Sequence, residues 1–321
     1  MQLWKLAAAG LALTITITTA ATAQQFPSKP IRVVVPFGAG SSTDIIARTI
    51  GQPLSQVLGQ PVIIENKPGG DGAVAAGDVR RAAGDGHTLL MATNSPLSVV
   101  PHLHKQPPYD AIADFTAISH VGYYTFIIVV NPAVPAKTLA ELIAHAKANP
   151  GKVNYGSGNT GSIVSTALLT SLAGIDMLHV PYKTEPVAIP DLLAGQIHMM
   201  NASYSPLAPH LRDGKLRALA VMLPARSPLL PNVPTIGEAG FKDFPVVPFA
   251  ALVGPAKIPR DVVERLNKEV VAILAREEIR KQLDGQAFAV QSSSADELAR
   301  MIKERLAIWG KIMKSAGIEP Q

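Results

Sequence analysis

Two turns rich in glycine and serine are the segments of this 321-residue chain whose side chains could bind an anion. They are Gly38–Asp44, after a predicted strand at Ile31–Val35, and Ser157–Ser162, after a predicted strand at Val153–Tyr155. Glycines allow a ligand close to the backbone, and the free N–H groups and dipole of a following helix favour negative charge. A single turn of this kind could equally well be only a tight connection with a helix cap. Two such turns in corresponding positions favour the binding of an anion.

Enzymatic interpretations fit these residues less well. Gly38-Ala39-Gly40 lacks the third glycine of a dinucleotide-binding turn, and the chain has neither a phosphate-binding Gly-Lys-Ser/Thr nor a Gly-x-Ser-x-Gly elbow. It contains no cysteine, which excludes thiol catalysis. The histidines of His102-Leu103-His104 have no acid at a metal-ligand spacing. We therefore predict no catalytic residue, metal or cofactor. A secreted α/β hydrolase or isomerase stays open if a histidine, an aspartate and a serine cluster in the cleft.

The N-terminus has the three parts of a secretory signal peptide. One positive charge within Met1–Lys5 precedes the apolar or small residues Leu6–Thr19, and Ala21-Thr22-Ala23 is a small-x-small cleavage signal. The apolar part is too short to span a bilayer. We predict export, cleavage after Ala23 and a periplasmic location.

The composition bounds the class of the mature protein. The formal charge of +5 becomes +4 when Lys5 leaves with the signal peptide, and no basic stripe with interleaved aromatic residues appears, which disfavours nucleic acid. No other apolar run reaches membrane-spanning length, so we expect no membrane insertion after cleavage. About three hundred residues suit two domains, each with its own core.

Strands and helices alternate along the first part of the chain. Ile31–Val35, Val62–Glu65 and Thr88–Ala92 are predicted strands. Between the first two, an apolar residue recurs every four positions from Ile46 to Leu58, which predicts one helix. This alternation is typical of a parallel sheet with helices on both faces.

The alternation restarts after a proline-rich passage at residues 106–117. The predicted strands of this second unit are Phe126–Val130, Val153–Tyr155, Ile175–Val180, Ile197–Met200 and Leu216–Leu223. Capping boxes stand at Thr138–Glu141 and Thr235–Glu238. A further strand is predicted at Phe249–Gly254.

The C-terminal part is predicted to be helical, with one strand at about Ala287–Gln291. This helical C-terminal part suggests that the chain returns to the first lobe. The two crossings between the lobes, near Val121–Asn131 and Val246–Gly254, would then form a hinge. We predict a signal peptide at 1–23, a first lobe of 24–125 plus 251–321, and a second lobe of 126–250.

Eight short blocks occur in order along the chain: Pro36–Gly40 with Thr43-Asp44, Glu65–Gly69, Asp85–Leu90, Tyr109-Asp110, Asn154–Ser157, His179–Lys183, Leu216–Ala220 and Pro234–Gly240. Together they resemble the Bug family, the periplasmic substrate-binding receptors of tripartite tricarboxylate transporters. The resemblance runs from about Phe26 to the C-terminus.

The resemblance implies an α/β fold of the two-lobed, type II periplasmic-binding-protein kind, with parallel-rich sheets flanked by helices and two crossing segments as the hinge. It implies capture of a small organic carboxylate by lobe closure and delivery to the membrane subunits of a transporter. A receptor that feeds a membrane sensor has the same sequence signature, and both alternatives stay open. No catalysis is implied.

The resemblance also implies the residues that bind the ligand. The first turn would offer Phe37 as an apolar wall, the amides of Gly38, Ala39, Gly40, Ser41 and Ser42, and the hydroxyls of Ser41, Ser42 and Thr43, with Asp44 as a brace. The second would offer Ser157, Gly158, Asn159, Thr160, Gly161 and Ser162. Tyr182 and Lys183 would line the cleft, although Lys183 is equally well a surface lysine.

Four positions depart from the family pattern. Ser41 stands in place of a glycine, and Thr166 in place of a frequent histidine. Thr184-Glu185-Pro186 interrupts a segment that is usually rich in glycine, and His198 stands where an acid is common. All but the first lie in the second lobe, so we expect altered chemistry at the far end of the ligand.

Overall fold

The computed structural model describes residues 26–223, 225–242, 244, 247–315 and 318–320. The predicted signal peptide at 1–23, with its cleavage after Ala23, lies outside the described residues. So does Val246, at the start of the second predicted crossing segment. No helix within the described ranges is long and apolar enough to cross a membrane.

Eleven strands are present in the described residues. They are β1 Ile31–Val35, β2 Val62–Asn66, β3 Thr88–Thr93, β4 Phe115–Tyr124, β5 Phe126–Val130, β6 Asn154–Ser157, β7 Leu178–Pro181, β8 Met199–Ser203, β9 Arg217–Val221, β10 Phe249–Pro255 and β11 Phe288–Val290. Each predicted strand is confirmed, with ends shifted by up to three residues. The ten-residue strand β4 was not predicted.

The strands form two mixed sheets, so the α/β fold with two sheets is confirmed. The first has the order β11-β4-β10-β3-β1-β2 and the second the order β7-β6-β8-β5-β9. In the first sheet β1 is parallel to β2 and β3, whereas β10 is antiparallel to both β3 and β4. In the second, β6 is parallel to β7 and β8, whereas β5 is antiparallel to β8 and β9. The predicted parallel arrangement therefore holds for the strands that precede the two turns.

Helices cover both sheets. They are α1 Ser42–Leu58, α2 Ala73–Arg80, α3 Val100–Leu103, α4 Leu139–Ala148, α5 Thr160–Ala173, α6 Glu185–Leu193, α7 Tyr204–Arg212, α8 Arg260–Leu274, α9 Glu277–Asp284 and α10 Ala295–Ser315. A 3₁₀ turn at Gly70–Gly72 and a π turn at Ser95–Val99 complete the regular structure within the described residues.

Helix α1 shows how local sequence positions the first turn. Its predicted apolar face, from Ile46 to Leu58, is buried against the first sheet. The hydroxyl of Ser41 accepts a hydrogen bond from the amide of Asp44 at 3.3 Å, and Gly59 ends the helix with a φ of 68°. A serine N-cap and a left-handed glycine at the C-terminus are standard helix ends.

The second predicted capping box does not open a helix. The amide of Thr235 donates to the Glu238 carboxylate at 2.8 Å, and the amide of Glu238 donates to the Thr235 hydroxyl at 3.1 Å. Only turns follow, since Gly240 has a φ of 106° and bonds back to the carbonyl of Gly237. The capping hydrogen bonds are local, whereas a helix also needs an apolar face to bury.

The two sheets meet where the chain passes from one to the other. At the first passage, the amide of Thr125, between β4 and β5, donates to the carbonyl of Ala287 at 3.3 Å. The predicted lobe boundary between 250 and 251 falls inside β10, which begins at Phe249. Helix α10 packs against both units: Leu298 joins the core of the first sheet, and Trp309 contacts a cluster that includes Leu168 of α5. The lobe boundaries and the hinge stay predictions.

Candidate functional site

A small cavity lies between the two turns, at one edge of both sheets, and about 30 Å³ of it is open to the centre of a water molecule. Its walls follow the ends of β1, β3, β6, β7 and β8, together with the passage from β4 to β5. The lining residues are Phe37, Ser41, Ser42, Thr43, Thr93, Asn94, Ser95, Tyr124, Phe126, Gly158, Asn159, Glu185 and Ser203. In open α/β sheets the crevice beyond the carboxyl ends of the strands is the usual place for a ligand.

The first turn presents unsatisfied donors to this cavity. The first hydrogen bond of α1 runs from the amide of Ile45 to the carbonyl of Ser41 at 3.0 Å, so the amides of Ser42 and Thr43 precede the intrahelical pattern. The Ser42 hydroxyl is buried and has no hydrogen-bond partner among the described residues. Because these groups lie at the start of a 17-residue helix, they are suited to bind an anion.

Two other groups of the first turn are occupied within the protein. The Thr43 hydroxyl is hydrogen bonded to the hydroxyl of Tyr124 at 2.8 Å. The amide of Gly40 donates to the Asp44 carboxylate at 3.0 Å. The Ser41 hydroxyl accepts the cap hydrogen bond of α1 and can still donate its own O–H to a ligand. The donors that this turn could offer to a ligand are therefore fewer than the sequence suggests.

The glycines of the first turn lie at the rim. Ala39 and Gly40 are exposed, and Gly40 has a φ of 78° with nothing within 4 Å of the place where a Cβ would stand. Gly38 faces Thr184, which would lie 3.2 Å from a Cβ built on it. The first turn thus touches the segment after β7 directly.

Asp44 braces the turn, as expected from its sequence position. Its carboxylate accepts hydrogen bonds from the amide of Gly40, from Arg48 Nε at 3.0 Å and from Asn66 Nδ2 at 3.0 Å. Burial alone would raise the pKa of Asp44, but these hydrogen bonds and the Arg48 charge outweigh burial and hold it below its ordinary value. Its oxygens are engaged inside the protein.

We expect Asp44→Asn to lower the free energy of unfolding at pH 7 by about 1–3 kcal/mol, because an amide nitrogen would face buried donors. The pKa of Asp44 lies below 3.8 in the folded state, so its stabilisation is complete above that pH and is lost as the pH falls through the folded pKa. The difference between wild type and variant should therefore shrink below pH 3.8 in urea titrations. Asp213→Asn, whose carboxylate is 55% exposed, is the control and should show little effect. A constant difference from pH 7 to pH 3 would contradict the brace.

The second turn is more tightly packed. Asn159 caps α5 by accepting from the amide of Ser162 at 2.9 Å, and the Ser162 hydroxyl donates to the carbonyl of Asn159 at 2.8 Å. The amide of Gly161 donates to the Ser95 hydroxyl, after β3, at 3.3 Å. Gly158 and Asn159 line the cavity, and the buried Thr160 hydroxyl has no partner within the described ranges. The second turn therefore forms part of the cavity wall through Gly158 and Asn159, and it connects the two sheets through the hydrogen bond from Gly161 to Ser95.

Ser157 is engaged behind the cavity wall. Its hydroxyl is hydrogen bonded to His179 Nε2 at 2.6 Å, and His179 stacks on Tyr155 with ring centroids 5.0 Å apart. Burial lowers the pKa of His179. In the described part of the chain no carboxylate is hydrogen bonded to His179, and Ser157 does not line the cavity. The arrangement that would favour a hydrolase is therefore incomplete.

Tyr182 and Lys183 lie away from the cavity wall. The Tyr182 hydroxyl donates to Asp191 at 2.6 Å, and the side chain of Lys183 is exposed. Neither belongs to the lining of the central cavity. Their role in binding stays a prediction that the described geometry does not favour.

Seven lining residues were not predicted: Thr93, Asn94, Ser95, Tyr124, Phe126, Glu185 and Ser203. The run Thr93-Asn94-Ser95 follows the buried strand β3 at the sheet edge where β1 also ends. That signal, polar residues directly after a buried strand, could have been read from the sequence. Asn94 Nδ2 is buried and has no partner among the described residues, which makes it a second free donor in the cavity.

Two of the departing positions can now be located. His198 precedes β8 at the end opposite to Ser203, and its Nδ1 lies 2.7 Å from the Asn154 carboxamide oxygen. It is therefore remote from the cavity, which Ser203 lines. Thr166 is buried in α5, and its hydroxyl has no partner within the described residues.

Glu185 is the third departing position, and it lies in the wall of the cavity. It is 5% exposed and is the one lining side chain among the described residues that has a carboxyl group. Burial raises the pKa of Glu185, and hydrogen bonds from Ser203 and Asn159 oppose that increase. Sequence reasoning noted this position as unusual but did not place it in the site.

A family model matches residues 46–318 and is described as the tripartite tricarboxylate transporter family receptor. Among curated proteins, BugT of Bordetella pertussis is 32% identical over 308 residues, which cover 94% of this chain and 93% of BugT.

Solved structures of the same fold carry carboxylates. One is an R. palustris protein with adipate, with a TM-score of 0.89 and 29% identity, covering 92% of this chain and 100% of that one. Another is MatC from Rhodopseudomonas palustris with bound malate, with a TM-score of 0.84 and 30% identity, covering 89% of this chain and 99% of that one.

Proposed function

Because the chain belongs to the tripartite tricarboxylate transporter receptor family, we propose that it is an exported solute-binding receptor for a small organic carboxylate and performs no catalysis. The observation that carries the proposal is the start of α1: the buried Ser42 hydroxyl has no partner among the described residues, and the amides of Ser42 and Thr43 precede the intrahelical hydrogen bonds. Ser42 and Thr43 line the cavity between the two turns.

The ligand carboxylate would bind at this helix start. No lysine, arginine or histidine lines the cavity in the described part of the chain, so the negative charge must be stabilised by N–H and O–H dipoles. Hydrogen bonds to a charged group are about twice as strong as those between neutral groups. The free amide of Asn94 is a further donor for the same ligand.

Capture would proceed by closure of two lobes, formed by residues 24–125 with 251–321 and by residues 126–250. Contacts such as Gly161 with Ser95 and Gly38 with Thr184 join the turns of the two sheets across the cavity. A ligand buried there can leave only if these contacts separate. The passages at Thr125 and before β10 are the segments about which they would do so.

The partners and the location follow from the same proposal. Once the signal peptide at 1–23 is removed, the receptor would act in the periplasm and deliver its ligand to the membrane subunits of a tripartite transporter. A receptor that signals to a membrane sensor would use the same site. The genes adjacent to its own distinguish these two roles.

A thermal-shift screen tests the proposal. We expect at least one carboxylic acid, in a panel that includes adipate, malate and the common amino acids, to stabilise the protein after bound ligand has been removed by unfolding and refolding. An acid at a hundred times its Kd should add about 2.7 kcal/mol to the free energy of unfolding.

Two serine-to-alanine variants, one in the site and one outside it as the matched control, test the role of the Ser42 hydroxyl. Ser42→Ala should weaken binding by roughly tenfold or more, since it removes a hydrogen bond to a charged group. Ser171→Ala, at an exposed position of α5, should leave the affinity unchanged. If no acid stabilises the refolded wild type, the receptor function is wrong.

A further inference from the structure

Glu185 places a carboxyl group in the wall of a cavity proposed to bind an anion. It is the first residue of α6, which follows β7, and Thr184 before it contacts the first turn at Gly38. Its partners in the described residues are all neutral: the Asn159 side-chain amide donates to it at 3.0 Å, the amide of Ser203 donates to it at 3.0 Å, and the Ser203 hydroxyl is hydrogen bonded to its other oxygen.

Those three hydrogen bonds would stabilise an ionised carboxylate, whereas burial raises the pKa of Glu185 and favours the protonated form. The Ser203 hydroxyl can donate to the ionised form or accept from the protonated one. The start of α6 adds the positive end of a helix dipole. None of these groups carries a full positive charge, and a buried ion that lacks an opposite charge is costly.

The charge of Glu185 reaches the anion site of the first turn. Burial is the main cause of the raised pKa of Tyr124, and the Glu185 charge adds to it. The Tyr124 hydroxyl is in turn bonded to Thr43, next to Ser42. One small ligand bound at the start of α1 is therefore within the field of the Glu185 carboxylate.

A ligand with a second carboxylate toward Glu185 would find no cationic side chain in the described lining to pair with, and it would favour the protonated form of Glu185. A ligand with an ammonium group at that end would supply the opposite charge that the ionised form of Glu185 lacks. Building on the receptor function above, we propose that the physiological ligand is an amino acid, whose carboxylate binds at Ser42 and Thr43 and whose ammonium group binds Glu185.

Pairs of ligands that differ by one amino group test this directly. Calorimetry on the refolded wild type would compare each common amino acid and 4-aminobutyrate with the desamino acid of the same skeleton, together with adipate and malate. We expect at least one amino acid to bind about 30-fold more tightly than its desamino partner, which corresponds to about 2 kcal/mol.

A variant then assigns the preference to one side chain. Glu185→Gln removes the charge at nearly constant volume and should reduce the ratio within the preferred pair to below about threefold, roughly 0.6 kcal/mol. Glu264→Gln, whose side chain is 65% exposed on α8, should leave the ratio as in wild type. If Glu185→Gln does not fold, the comparison of pairs on the wild type still decides the question.

The outcomes separate this inference from the function on which it rests. If desamino acids, adipate or malate bind as tightly as the amino acids or more tightly, the ammonium site is wrong and the carboxylate receptor stands. A wild-type preference that survives unchanged in Glu185→Gln would also overturn the role of Glu185. If no acid with or without an amino group binds, the receptor function itself fails.

Discussion

Replacing Gly158 by alanine will raise the Kd for the ligand by at least about a hundredfold, or about 2.7 kcal/mol. A Cβ at this position would stand 2.1 Å from the amide nitrogen of Glu185 and 2.4 Å from the carbonyl carbon of Thr184. Both are backbone atoms, so the segment that carries Glu185 into the cavity wall has to move. Titration calorimetry with an acid from the screen above measures the loss.

The control for this substitution is a glycine in ordinary surroundings. Gly77→Ala in α2 places its Cβ 3.4 Å from the nearest atom, Arg81 Nη1, and should stabilise the helix by about 0.5–1 kcal/mol without changing affinity. Wild-type affinity in Gly158→Ala would show that the 184–185 segment is not part of the site.

Gly40 differs from Gly158, although the two occupy corresponding turns. Its φ of 78° strains any other residue by about 1–2 kcal/mol, but a side chain there has open space. Substitution of Gly40 should therefore lower stability more than it blocks the cavity.

Replacing Trp309 by alanine should lower the free energy of unfolding by about 3–5 kcal/mol. Trp309 is 1% exposed and packs in a cluster with Val164 and Leu168 of α5 and Val99 of the π turn after β3. Because α5 begins at the second turn, this cluster also holds that turn against the first sheet. Guanidinium unfolding followed by circular dichroism measures the change.

An exposed residue on α5, the helix against which Trp309 packs, is the control for Trp309. Leu172 is 59% exposed, so Leu172→Ala should change stability by less than about 0.5 kcal/mol. A loss below about 1 kcal/mol in Trp309→Ala would mean that the contact between α10 and α5 contributes little to the fold.

The predictions about the site succeeded or failed according to how far apart in the chain the interacting residues are. The brace role of Asp44 is found as expected, with Gly40 and Arg48 four residues away on either side as partners. Asn159 was expected to contact the ligand, and it both lines the cavity and caps α5. Ser41 was expected to offer its hydroxyl, which accepts the cap hydrogen bond of α1 and can still donate. Tyr182 and Lys183 were expected in the cleft, yet Tyr182 turns to Asp191 nine residues on.

What the sequence by itself determined is local: the strands, the caps of α1 and α5, the apolar face of α1 and the two glycine turns after buried strands. These depend on backbone preferences and on periodic burial, which neighbouring residues encode. The chain-wide motifs also identified the family. The sequence therefore predicts a carboxylate site at Gly38–Asp44.

Only the tertiary structure decided which groups of that site are free and what faces them. The pairing of β6 with β7 and β8 brings Glu185 and Ser203 to the same edge as Asn159, and β3 brings Asn94 beside them. These contacts join residues that are far apart in the chain. Whether they stabilise or destabilise the fold depends on how deeply the groups are buried and on the charge of their partners. No local sequence pattern indicates that the carboxyl group of Glu185, which has no cationic partner among the described residues, lies in the cavity wall.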